Sequence, residues 1–405
     1  MSSTIISNQA SEDRVPVWEL VALFLAPAFI FANMYTTQAI LPVLSQAFHI
    51  SAPTAGLSVS ILVLAVAIGS LFYGPISDIV GRKPVMVGSS FLVAIPTLLC
   101  GFAPNFATLV ILRAIQGLLM PGLTSVAIPY VNEQFQGRWR GLAMGIYVSG
   151  LVLGGLFARV GSAALAGLYN WPIAMEAFTL PTLIAAIAMW RFLPDTHPHQ
   201  RQSRDKAARV PFDRAFIRQT LHEMRQHLHN RRLVGVFIIG FSSFFGFIGV
   251  FTYLPYYLTG PHFHLPTIDL SLVYLLWLTG IFSPAAGSLA ARIGSRRSII
   301  ISTGLASIGL LITLIPTLPI VMGGLSLLTL GMFSTLPASN LYLGEQTKEA
   351  KGTAASMYLS LYYFGGSIGA VLPGIALLQA GWLGVVLLCL GMTLIAMAAD
   401  ILLCR

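Results

Sequence analysis

Apolar residues in this chain gather into unbroken runs of helical length, separated by short polar breaks. A helix needs about 20 apolar residues to cross a hydrocarbon core. Twelve runs are read at 17–46, 54–77, 84–102, 106–130, 141–168, 172–193, 233–258, 268–291, 298–314, 318–343, 352–379 and 382–403. Six precede one long polar stretch, residues 194–232, and six follow it. An outer-membrane β-barrel would instead show alternating segments of about ten residues. The pattern predicts an all-α integral membrane protein with twelve transmembrane helices. It divides into a polar tail (1–16), a six-helix bundle (17–193), a basic linker (194–232) and a second six-helix bundle (233–403).

Composition agrees. Only 9% of the 405 residues are charged and 56% are hydrophobic, against about a quarter charged in a soluble domain. A soluble enzyme, a disordered chain and a fibrous protein are excluded. The net charge of +9 does not form the basic, aromatic-interleaved soluble face that nucleic acid requires. It lies in the loops and reports orientation. Arg82/Lys83, Arg138/Arg140, the linker cluster, Arg292/Arg296/Arg297 and Lys348/Lys351 follow the even-numbered runs, while the loops after the odd-numbered runs carry no Lys or Arg. Lys and Arg accumulate on the cytoplasmic side, so both termini are expected there. Met1 to Pro16 has no signal-peptide pattern and reads as a solvated tail.

The halves look like repeats. Leu41-Pro42 recurs as Leu254-Pro255, and Gly74 and Gly81 recur as Gly287 and Gly294, all at an offset of 213. Asn170-Trp171 matches Gly381-Trp382 at 211, and Glu133 matches Glu345 at 212. Duplicated halves related by an axis along the membrane normal are a transporter architecture, with the substrate site between them. In the linker, Phe212, Phe216, Thr220, Met224 and Leu228 recur every four residues beside Arg214, Arg218 and Arg225. This predicts an amphipathic helix, lying on the inner leaflet or tethered under the bundle.

The loop after the second run reads Gly74-Pro-Ile-Ser-Asp78-Ile-Val-Gly81-Arg82-Lys83. Its glycines allow a tight turn, and Asp78 lies one helical turn before Arg82. This stretch resembles the loop signature of the major facilitator superfamily, and helix count, linker position and repeat match that family over about residues 17–403. The second copy has Ala291 where the acid would stand. Arg113-Ala-Ile-Gln116-Gly117 resembles the family's Arg-x-x-Gln-Gly motif, which implies a role in proton coupling or cavity charge. An arginine inside a span costs roughly 2.5–3.5 kcal/mol on insertion scales. Gly145, Gly150, Gly154 and Gly155 are similar to the family's antiporter motif, with Leu151 in place of the usual proline. A small-residue face packing one neighbour explains the same glycines. Tyr35-x-x-Gln38-x-x-Leu41-Pro42 resembles the first helix of bacterial efflux members.

Candidate cavity and coupling residues are Asn33, Tyr35, Gln38, Arg113, Gln116, Arg159 and Glu176, with polar side chains expected to face the cavity. Glu176 is the one acid well inside the first six runs, while Asp400 and Glu19 read as interfacial. The phenylalanines of the seventh run are expected to face lipid, with Tyr256 and Tyr257 as belt anchors. Cys100, Cys389 and Cys404 lack paired spacing, so neither a disulfide framework nor a metal site is expected. Histidines at 262, 264 and along the linker read as solvated. No phosphate loop or nucleophile–base arrangement is present, so neither a cofactor nor enzyme activity is expected. The resemblance implies a monomeric secondary transporter of the bacterial inner membrane that moves a small solute by alternating access. Proton-coupled efflux leads, and proton symport into the cell is the alternative.

Overall fold

The structure, a computed structural model, describes residues 17–195, 214–347 and 350–404. The tail read at 1–16 and the linker residues 196–213, with Phe212, lie outside the described residues. Helices dominate, and no strand occurs among the described residues. Before the linker come α1 (Val17–Ala32), α2 (Leu41–Phe48), α3 (Ala52–Val80), α4 (Arg82–Cys100), α5 (Phe106–Leu119), α6 (Pro121–Thr124), α7 (Ala127–Gln134), α8 (Gly137–Leu168), α9 (Trp171–Glu176) and α10 (Thr179–Phe192). The linker contributes α11 (Arg214–His229). After it follow α12 (Arg231–Thr259), α13 (Leu270–Val273), α14 (Ser283–Ile293), α15 (Ser295–Ile312), α16 (Leu318–Gln346), α17 (Lys351–Gly369) and α18 (Leu372–Leu403).

Among the described residues, nine helices are long and apolar enough to span a membrane, or ten if the bent pair 270–280 and 285–293 is one span. The expected twelve are therefore not all continuous helices. The first run breaks between α1 and α2. Asn33, Thr36 and Thr37 carry side chains that compete for backbone groups, and Pro42 cannot donate back to residue 38. Through the break, Asn33, Met34 and Tyr35 N–H groups donate three residues back, to Ile30, Phe31 and Ala32. Gln38 N–H donates to the Tyr35 carbonyl at 3.1 Å, so it does not take the Met34 carbonyl as a continuous helix would. The eighth run is also interrupted, by a 3₁₀ segment at Tyr274–Phe282. The eleventh stops at Gly369, and the turn before the twelfth falls inside α18 at Ala380 and Gly381 (φ 61°).

α8 packs on α1, α10 on α1 and α4, and α3 on α5; after the linker, α12 packs on α17 and α18, and α15 on α16. The two sets meet where α17 lies on α3, the 3₁₀ segment 274–282 on α8, and α2 on α12. Gly56 makes the first of these contacts possible, since a Cβ there would lie 2.2 Å from the Ala370 carbonyl oxygen. The Ser60–Ser367 hydroxyl pair at 2.9 Å and the Ser45–Tyr256 pair at 2.5 Å join the sets in the layer nearer the short loops.

α11 packs on α12 and α17, with Thr353 Oγ1 donating to Glu223 Oε2 at 2.7 Å. Packing of Met224 against the core of the second set favours the tether over a free surface helix. Two further expectations are overturned. Phe244, Phe245, Phe247 and Phe251 are buried at 0–6% exposure rather than lipid-facing, because α12 is enclosed by neighbours. Asp400 is fully buried rather than interfacial, with Arg296 Nε 3.8 Å from its carboxylate.

Candidate transport site between the two sets of helices

The sequence-derived candidates separate into two buried clusters. The first surrounds Arg113 and belongs wholly to the helices before the linker. Its Nη1 donates to the Asn33 carbonyl at 2.5 Å, to Gln116 Oε1 at 3.0 Å and to Thr36 Oγ1 at 3.3 Å. Nη2 donates to the Met34 carbonyl at 2.9 Å, and Nε to the Ser58 carbonyl at 3.1 Å. Two of these carbonyls belong to the break in the first run. The guanidinium thus supplies the donors that the broken helix lacks, which accounts for a cation inside a span. Gln116 Nε2 donates to Thr97 Oγ1 at 2.9 Å, Thr97 Oγ1 to Asn33 Oδ1 at 2.9 Å, and Asn33 Nδ2 to Thr182 Oγ1 at 3.0 Å. Asn33, Arg113 and Gln116 are 0–1% exposed. The expectation that they face a cavity does not match this placement, because they saturate one another inside the first set.

The second cluster lies where the two sets touch. Arg159, fully buried on α8, has its guanidinium carbon 3.8 Å from the Tyr35 ring centre and 3.6 Å from the Trp277 ring centre. The cation is held between aromatic faces from both sets. Such a contact is worth about 2 kcal/mol when desolvated. Phe251 and Tyr274 stand farther out at 6.0 and 5.7 Å. Arg159 Nη1 donates to the Gly155 carbonyl at 2.9 Å, and Nη2 donates to Gln38 Oε1. Gln38 Nε2 in turn donates to Thr252 Oγ1 on α12 at 2.9 Å. Arg159 Nε and Trp277 Nε1 remain buried donors without a hydrogen-bond partner among the described residues.

Neither arginine joins an ion pair among the described residues. Glu176 lies elsewhere, near Gly101, where a Cβ on that glycine would come 3.2 Å from its Oε2. The glycine motif also divides, so the expectation of a single packing face is corrected. Gly150 and Gly154 receive the Phe24 and Ala28 carbonyls of α1, whereas Gly155 faces Trp277, and a Cβ on Gly145 would meet nothing within 4 Å. The physical reason is the 3.6-residue period, which turns positions 145 and 155 away from the 150/154 face. Trp277 and Tyr274 escaped the sequence reading because nothing local distinguishes them from aromatic filling, and Thr252 because a hydroxyl in a span can be satisfied by its own helix backbone.

At the opposite end of α3, Arg82 Nη2 pairs with Asp78 Oδ1 at 2.7 Å and with Glu133 Oε1 at 3.1 Å, which ties α3, α4 and α7 together. Lys83 reaches Asp195 at 3.2 Å. Gly81 takes φ 112° and Gly294 takes φ 95°, a region open to glycine. The second copy keeps the geometry with altered chemistry. Ser295, after Gly294 as Arg82 follows Gly81, donates to Glu345 Oε2 at 2.8 Å, and Arg296 approaches Asp400 as Lys83 does Asp195. No group of three or more His, Cys, Asp or Glu side chains is arranged to hold a metal among the described residues.

Comparison with known proteins places this architecture. The family model for the Major Facilitator Superfamily matches residues 23–280 and 262–404. The chain is 35% identical over 367 residues to the inner membrane transport protein YnfM of Escherichia coli (strain K12), covering 90% of this chain and 85% of that one. It is 30% identical over 377 residues to the MFS-type transporter YybF of Bacillus subtilis (strain 168), covering 93% and 91%. The fold resembles that of a bacterial homolog of the human lysosomal transporter Spinster in an inward-facing, unoccupied conformation (TM-score 0.76, 14% identity, 97% and 98% covered). It matches a D-xylose–proton symporter equally well (TM-score 0.76, 14% identity, 96% and 98% covered). With twofold helical sets, the paired loop turns and full-length matches in agreement, the chain belongs to the Major Facilitator Superfamily and is a multi-pass membrane transporter of that type.

Proposed function

We propose that this transporter exports a small anionic or polar, hydroxyl-rich solute by alternating access, in exchange for protons, with both termini cytoplasmic. The observation that carries the substrate class is Arg159. It is a stacked cation at the contact between the sets, with its own Nε and the neighbouring Trp277 Nε1 unfilled and with no carboxylate paired to it among the described residues. A lipophilic cation would meet an uncompensated positive charge in low dielectric, which is strongly unfavourable. The Gly150–Gly154 contact with α1 supports the exchange reading. Leu151, standing where the resemblance expects proline, is what keeps uptake by proton symport as the second reading.

The test is counterflow in proteoliposomes with an imposed pH gradient. Carboxylates and sugars should exchange, and protons should move opposite to the solute. Co-directional protons would establish symport, and tight binding of ethidium-like cations with none by carboxylates or sugars would overturn the substrate class.

The Asp78–Arg82 pair is proposed as part of the cytoplasmic gate. Asp78 is more than half exposed, so losing the pair should change stability by less than about 1 kcal/mol. Asp78→Asn should therefore lower the transport rate about tenfold or more, at nearly unchanged Tm and membrane insertion. A wild-type rate in that variant would remove the gate role.

A further inference from the structure

A cavity of about 790 Å³ lies away from the transport site, beneath the linker helix. Gln226, His227, His229, Arg231, Arg232 and Thr347 are among its lining residues. Two guanidinium groups, two imidazoles and the start of α12 thus converge. The acid on its wall, Glu345, is engaged by Ser295, and Arg232 Nη1 donates to Gln346 Oε1 at 3.1 Å. Arg231 is exposed, while His227 is nine-tenths buried and its Nε2 has no hydrogen-bond partner among the described residues. A buried donor-capable nitrogen beside exposed cations and a helix N-terminus suits a phosphate group.

A second groove of about 420 Å³, apolar except for Ser242, lies farther along α12. Leu228 stands at its mouth, and Val234, Ile238 and Phe241 line it from α12, with Leu361 of α17 and Ile395 of α18 opposite. Arg231, Val234, Ile238 and Phe241 are three, four and three residues apart, so they form one stripe along α12. The stripe runs about 15 Å at 1.5 Å per residue, the depth of one leaflet of a ~30 Å core. Cationic cavity and apolar groove are thus two ends of one helix face.

We infer that the junction of α11, α12, α17 and α18 is a binding site for an anionic phospholipid, its phosphate at Arg231 and His227 and an acyl chain along Val234–Ile238–Phe241. The site ties the linker helix to the second set through a lipid, and it does not depend on what the protein transports.

Native mass spectrometry of the purified full chain, titrated with phosphatidylglycerol or phosphatidylcholine, tests this, with inorganic phosphate as a competitor. The wild type should prefer phosphatidylglycerol about fivefold for each arginine engaged. Arg231→Gln should lose most of that preference while still binding phosphatidylcholine at its former level. Ile238→Trp, which fills the groove, should weaken both lipids alike. Should Arg231→Gln fold poorly, His227→Gln reads the same headgroup contact. Equal binding of the two lipids by the wild type, an unchanged preference in both headgroup variants, or displacement of phosphatidylglycerol by millimolar phosphate would each overturn the site.

Discussion

Arg113→Met is expected to destabilise the protein by roughly 3–5 kcal/mol, because it leaves several buried neutral acceptors without a donor at once. Methionine keeps much of the volume but donates nothing. The Asn33, Met34 and Ser58 carbonyls, which take three of its hydrogen bonds, would then be left without these donors in a low-dielectric interior. Each unsatisfied buried group costs about 1–3 kcal/mol. Arg113→Lys should recover only part of the loss, because an ammonium cannot reproduce the planar fork. Thermal unfolding in detergent measures this directly. A variant with wild-type Tm would show that the break in the first run has other support. A variant that folds and transports with an unchanged pH profile would exclude Arg113 from coupling as well.

Arg159→Gln is expected to act on function instead. Glutamine can keep a contact to Gln38, yet the positive charge between Tyr35 and Trp277 is lost. If the solute is anionic, removing a buried, hydrogen-bonded charge partner costs about 2–5 kcal/mol, or roughly 30-fold and more in affinity. The remaining hydrogen bonds of Arg159 are few, so Tm should fall less than in Arg113→Met. Arg159→Lys should bind anions at an intermediate level, since it retains charge while losing the stacked plane. Titration of carboxylates and sugars by isothermal calorimetry separates these outcomes. Unchanged affinity in Arg159→Gln would remove Arg159 from the site.

Both arginines are single cations inside apolar runs. Arg113 had a motif around it and Arg159 had none, yet Arg159 sits at the contact between the sets while Arg113 is spent within one of them. The difference lies in what surrounds each side chain. Arg113 meets carbonyls exposed by a helix break whose cause, Asn33 to Pro42, is local and readable. Arg159 meets Trp277 and Tyr35 only because α8 and the segment 274–282 are brought together across a gap of more than a hundred residues. Asp400 teaches the same lesson: its place near a helix end suggested an interface, and packing buried it.

The sequence alone determined the solvent, the class and the approximate spans. Run length and the scarcity of charge answer to the thickness and dielectric of the bilayer, which act on each segment separately. The same holds for the loop turns at Gly81 and Gly294, since a left-handed φ is a property of one residue. Tertiary structure decided which runs stay continuous, which polar residues satisfy one another, and which aromatic rings enclose Arg159. Those outcomes depend on pairings between distant helices. In an apolar sequence the residues that form such pairings, Trp277 and Phe251 among them, have the same hydrophobic character as the filling around them.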